Sequence, residues 1–205
     1  MGHQRANVEN CSTRSLVSFY SIPTLSVLRA DFNYFSLASK DWDLTNWFFD
    51  HGADPNARTW MDSTPFSFAI EHAPLHIIHL FFQRGGSVEK GQLIHHAVLR
   101  KSDEIEVVDL LLQNGASLNM IVYSNDPQSY NQLALFGIGT PLHVAVHRGQ
   151  VKLVSHLLDK GADPSIKDTR DRTPLYCAKN HNRTDGRIEI IRLLENAGGA
   201  VSTSL

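Results

Sequence analysis

Eleven histidines in a chain of 205 residues are the first features here that could do chemistry. An imidazole titrates near neutral pH, moves protons and ligates metals. His72, His76 and His79 invite a metal reading by their spacing. His76 and His79 fall on an exposed helix face, however, and His72 ends the helix before. Two histidines supply half a zinc site, and no Cys or carboxylate stands at ligand spacing beside them, so no metal is expected. A Gly-x-Ser-x-Gly elbow, a His-Glu-x-x-His pair and a Walker loop are all missing from the sequence. Gly137-Ile-Gly139 is too short for a dinucleotide-binding turn. Asp103-Glu104 falls on a turn between helices, where solvation accounts for the charge. No catalytic residue and no cofactor is expected.

Composition narrows the class. The chain is 42% hydrophobic and 20% charged with a formal net charge of −2, the profile of an ordinary folded unit. That balance predicts no affinity for nucleic acid or anionic membranes. No apolar run approaches the length of a bilayer span. The first residues lack the continuous apolar core of a secretory signal, and Ala6 stands where a myristoylation motif has Ser or Thr. Cys11 and Cys177 read as two reduced thiols, so the expected location is intracellular, cytoplasmic or nuclear.

The elements that would position any site are clearest between Gly139 and Asp168. Thr140 is placed to cap a helix and Pro141 to begin it, where a missing N–H costs nothing. Leu142, Ala145 and Val146 give that helix one apolar side, and Gly149 stops it. A second helix from Val151 carries Leu153, Val154, Leu157 and Leu158, and Gly161 ends it. Two short antiparallel helices cannot bury their apolar faces alone, so this unit needs neighbours.

The run Thr140-Pro-Leu-His143 through Leu157-Leu158 to Gly161-Ala-Asp163 resembles the ankyrin repeat, a unit of two helices and a projecting β-turn finger. The resemblance implies an all-α helical solenoid with β-turn fingers over about residues 23–200. The repeats are expected at about 23–56, 57–86, 87–119, 139–168 and 169–200, the first divergent. An N-terminal capping segment covers 1–22, an insertion covers 120–138 and a tail covers 201–205. Thr64-Pro65 and Thr173-Pro174 repeat the opening motif, with Ser67 at the His position of the second repeat. His95 and His143 occupy that position in the third and fourth, where the family implies a structural hydrogen bond at the base of a finger. The third repeat has a shortened finger: six residues separate Gly85 from Gln92, against eleven between Gly161 and Thr173. The insertion reads equally as a tolerated mobile loop and as a binding loop.

The resemblance also implies where a partner would bind: on finger tips and the last turns of first helices, a concave surface. Carried over, these positions are Trp60, Met61, Glu71, His72, Arg100, Phe136, His147, Arg148, Arg170, Arg172 and His181. Six of them are basic or His residues in the C-terminal half, which suits an acidic protein surface. Trp60 and Phe136 would be aromatic anchors. The function this favours is a protein-binding module or adaptor. The alternative is a small-molecule binder or small enzyme whose His/Arg-lined pocket lies under the insertion, with His147 or His181 as the acid–base group.

Overall fold

The computed structural model describes residues 40–180 and 186–201. The expected capping segment 1–22 and the first helix of the first repeat lie outside the described residues, as do His181 and residues 202–205 of the tail. Among the described residues are ten α-helices, two 3-10 turns and no strand. In chain order they are α1 (Trp42–Asp50), a 3-10 turn (Trp60–Asp62), α2 (Pro65–His72), α3 (Leu75–Gln83), α4 (Leu93–Leu99) and α5 (Glu104–Gln113). Then come α6 (Pro127–Leu133), a second 3-10 turn (Ala134–Phe136), α7 (Pro141–Arg148), α8 (Val151–Asp159), α9 (Pro174–Asn180) and α10 (Arg187–Val201).

Local chemistry sets the helix starts. Thr64 Oγ1 accepts from the Ser67 N–H at 3.0 Å while Ser67 Oγ accepts from the Thr64 N–H at 2.8 Å, a reciprocal capping box. In α7 the Thr140 N–H and hydroxyl both turn to His143 Nδ1, at 3.1 and 2.9 Å. The Thr140 hydroxyl therefore serves the histidine rather than only a helix N–H. α10 runs to Val201, one residue into the expected tail, and carries Gly198 and Gly199 in helical conformation at about 1 kcal/mol each relative to Ala.

Helices this short are marginal alone and persist because they stack. α2, α4, α7 and α9 pack on one another in one row; in the second row α1 packs on α3, α5 on α8 and α8 on α10. The N-terminal half of the core is aromatic. Phe66 and Phe81 stack at 5.1 Å, and Phe49 meets Phe81 edge-on at 4.9 Å. Farther along it becomes aliphatic, with Leu142, Leu153 and Leu157 fully buried. Each contributes about 1.5–3 kcal/mol by leaving water.

The fingers depart from a regular array. Two of them close on backbone pairs, Thr59 N to Ser63 O and Asp168 N to Arg172 O, both 2.8 Å. The shortened finger between α3 and α4 projects less, and the segment 120–138 occupies the space this leaves. Instead of an open loop, that segment is folded. Pro127 begins α6, the Ser129 hydroxyl donates to Asp126 Oδ2 at 2.6 Å, and Ser129 is buried. α6 packs against the 3-10 turn Trp60–Asp62, so the finger before α7 reaches over the short one to the finger before α2. Gln92 joins all three: its Nε2 donates to Asp62 Oδ2 at 2.6 Å, and its Oε1 accepts from the Tyr123 N–H at 2.9 Å. Arg58 adds an ion pair to Asp62 at 2.5 Å and stands 3.8 Å from Asp126.

Gly91 makes this close approach possible. Its φ is +78°, and a Cβ there would lie 2.4 Å from Thr64 Oγ1 and 3.2 Å from Ser67 Cβ. Because Ser67 stands where α4 and α7 carry the larger His95 and His143, the short finger settles directly on the start of α2. Gly115, at φ +89°, faces open space instead. Gly115→Ala therefore reports left-handed strain alone, about 1–2 kcal/mol. Gly91→Ala is expected to lose roughly 1–3 kcal/mol more from overpacking, read as the difference between the two urea midpoints. Equal losses would show that the contact with α2 carries no strain.

Candidate partner-binding surface

The fingers and the ends of the first helices are the positions to which the sequence assigns a partner. The finger motifs hold them in place. His143 Nε2–H donates to the Arg172 carbonyl at 3.0 Å, tying α7 to the following finger. His95 repeats the device, donating to the Gly139 carbonyl at 3.2 Å. In His143 the other ring nitrogen is occupied by Thr140, whereas His95 Nδ1 is buried without a partner. The cause is Gln92: it stands where α7 has Thr140 and turns its side chain to Asp62 and Tyr123. Burial pushes His95 down to about 4 and lowers His143 as well. Both are neutral structural donors at pH 7. Thr173 Oγ1 accepts from the Tyr176 N–H at 3.2 Å, and Pro174 begins α9. Ser67 keeps the cap at Thr64 and Pro65, and its hydroxyl donates back to the Thr64 carbonyl at 2.8 Å instead of reaching to a finger carbonyl.

Several predicted contact residues have other work. Arg100 is the main correction. It is 6% exposed, and its guanidinium donates to the carbonyls of Ile70, Ala73 (3.0 Å) and Ser102 (3.3 Å). It also donates to both oxygens of Asp103 at 2.9 Å. It staples the end of α2 to the start of α5 and offers nothing to a partner. Asp103 is accordingly an ion-pair partner, not a solvated turn charge. Arg172 is the second correction. Its Nε and Nη2 donate to Asp168 Oδ2 at 2.8 and 2.6 Å. Burial alone would raise the Asp168 carboxyl, but donors from Arg172 and the Arg170 N–H outweigh it and hold it below the usual carboxylate range.

Glu71 is half-buried and accepts from His96 Nδ1 at 2.7 Å; this hydrogen bond holds it below its ordinary range, against burial. His72 is exposed, 3.6 Å from Glu71. Met61 is half-buried with φ +61°. Trp60 opens the same turn, and its side chain lies outside the described part. His147 is half-buried on α7; Arg148 is exposed, reaching the Leu99 carbonyl at 3.3 Å.

The structure brings together a smaller group: Leu135 and Phe136, 85% and 74% exposed, beside Arg170. Arg170 and Arg172 lie across Gly137, where a Cβ would stand 2.9 Å from Arg170 Cδ and clash with the Arg172 guanidinium. Thr169 locks the apolar tip in place. Its hydroxyl donates to the Ala134 carbonyl at 2.6 Å and accepts from the Ile138 N–H at 3.0 Å. Its N–H donates to the Ile138 carbonyl at 3.0 Å. The sequence reading named Phe136 but missed Leu135; the clue was two adjacent large apolar residues in a segment otherwise rich in polar ones.

No helix among the described residues is long and apolar enough to cross a membrane. Residues 118–203 match the family described as ankyrin repeats (3 copies). The chain is similar to ankyrin repeat protein nuc-2 of Neurospora crassa, 31% identical over 147 residues, covering 70% of this chain and 12% of that protein. It is similar to the B-cell lymphoma 3 protein homolog of Mus musculus, 26% identical over 138 residues, 64% of this chain and 28% of the relative. A third relative is NF-kappa-B inhibitor alpha of Sus scrofa, 28% identical over 90 residues, 44% and 26% of the two chains. The chain thus spans 12–28% of the length of these relatives. With its paired helices, capped Thr-Pro starts and projecting fingers, it is a helical solenoid and belongs to the ankyrin-repeat family.

Proposed function

We propose that this chain binds a protein partner through its finger tips, with Leu135 and Phe136 entering an apolar pocket on that partner. Arg170, beside them, would meet a carboxylate at the pocket's edge. Ankyrin repeats are protein-binding modules, and one relative's name describes an inhibitor of another protein. The observation that carries the reading is the rigid exposure of Leu135–Phe136. Two large apolar side chains exposed to water gain burial energy on docking, and the Thr169 lock fixes the backbone on either side of them, which lowers the ordering cost. The buried free thiol of Cys177 suits a partner inside the cell.

The alternative of a pocket beneath the insertion draws less support, because α6 lies on the finger turn Trp60–Asp62 and not across the row of first helices. Phe136→Ser combined with Arg170→Glu is expected to lose, at least a hundredfold, any partner captured by the parent chain from cell extract. Its circular dichroism should be unchanged, since both side chains are exposed. Undiminished capture would overturn the assignment. Arg172→Glu is a poor probe, because it would set a second carboxylate against buried Asp168.

A further inference from the structure

The row of second helices carries a separate surface. α3 and α5 follow one another in this row but touch less closely than α1 does α3 or α5 does α8. Between them lies an open depression of about 620 Å³. Its floor is apolar: Leu75 from α3, with Ile105 and Leu110 from α5, all half-buried against the core. Its edge is acidic, with carboxylates from α5 and no Lys or Arg in the lining. Asp103 is engaged by Arg100, and Asp109 pairs at 2.9 Å with both His156 and Lys160 on the far side of α5. Glu106 is exposed and makes no ion pair among the described residues, and His79 of α3 lines the same depression.

We propose that the α3–α5 groove docks a basic amphipathic helix from a protein partner. Apolar residues at i, i+4 and i+7 would lie on Leu75, Ile105 and Leu110, with a Lys or Arg set against Glu106. The size falls within the roughly 300–1,000 Å³ of ligand pockets, but the site is open to solvent and walled by two helices, which suits a third helix more than an enclosed molecule. A helix laid between two helices reuses the ridge-into-groove packing of the array itself. Glu106, the one lining carboxylate outside an ion pair among the described residues, is the group that favours a cationic partner. This surface is built from second helices, not fingers, so it stands or falls independently of the finger-tip reading.

The probe is a fluorescein-labelled 18-residue Leu/Lys peptide with helical apolar spacing, titrated against the full chain by anisotropy. A scrambled peptide of the same composition and a Leu/Glu peptide of the same pattern serve as controls. The patterned Lys peptide is expected to bind at least tenfold more tightly than either control. His79→Arg with Glu106→Lys, both on exposed side chains, should weaken it at least tenfold, and amide NMR shifts should map to α3 and α5. Equal binding of the scrambled peptide, no effect of the double variant, or shifts confined to the fingers would each overturn the proposal. So would concentration-dependent self-association of the chain that the double variant abolishes, since the groove would then hold a second copy.

Discussion

Arg100→Ala is expected to lower the unfolding free energy by about 3–5 kcal/mol, the largest loss from any single polar side chain in this array. The guanidinium is buried and supplies donors to three backbone carbonyls and to Asp103. Removing it strands the last carbonyls of α2 away from water. It also leaves Asp103, which is only 28% exposed at its side chain, without its counter-charge. Arg100→Lys should recover less than half of the loss, because one ammonium cannot span both α2 carbonyls and the carboxylate. Arg148→Ala is the contrast: that side chain is exposed, and its loss should cost under about 0.5 kcal/mol. Urea midpoints at pH 7.5 read all three. An Arg100→Ala chain as stable as the parent would show that the staple offsets only its own desolvation.

The second large effect is acid lability beginning well above the carboxylate range. His95 titrates at about 4 in the folded chain against 6.5 as its ordinary value. As pH falls, the unfolded chain takes up this proton first, so stability present above pH 6.5 drains away progressively down to about pH 4. At roughly 1.4 kcal/mol per pH unit, His95 alone should cost about 2 kcal/mol by pH 5 and about 3 kcal/mol by pH 4. His143, lowered in the same direction by burial, adds to the same window. Glu71 and Asp168 are held below their ordinary values, so their contribution is lost only at lower pH. The step from pH 7 to pH 5 therefore isolates the histidines. Denaturation at both pH values should show a smaller pH difference in His95→Leu than in the parent, whatever the variant's absolute stability. Equal differences would mean that the unpartnered Nδ1 finds an acceptor when protonated.

Much of the fold was legible because its signals are local. Thr140-Pro141, Gly149 and Gly161 act on neighbouring backbone, and α7 and α8 lie where those residues put them. Histidine at the fourth motif position acts across one finger, and His95 and His143 both make that contact. Arg100 was misread because its position depends on the turn that follows. Four residues separate α4 from α5, against two between α7 and α8. The longer turn lets the guanidinium fold back onto α2, whereas Arg148 ends its helix and stays outside. The insertion was misjudged as a loop for a related reason: α6 is stabilised by the finger turn Trp60–Asp62, about seventy positions earlier in the chain, and no local pattern announces that meeting. Leu135 emerged only with the Thr169 lock, another contact between adjacent fingers.

The bridge from α6 to the finger before α2 changes what kind of object this array is. In a simple solenoid each unit meets only the units on either side, so single units can be gained, lost or exchanged without disturbing distant ones. Here Gln92 and Asp62 tie three successive fingers into one closed circuit. Deleting the middle helix pair would leave Tyr123 and Asp62 without the residue that joins them, and lengthening its finger would expel α6. The stretch from Arg58 to Ile138 is therefore expected to behave as a block, with variation in unit number at its flanks and not within it.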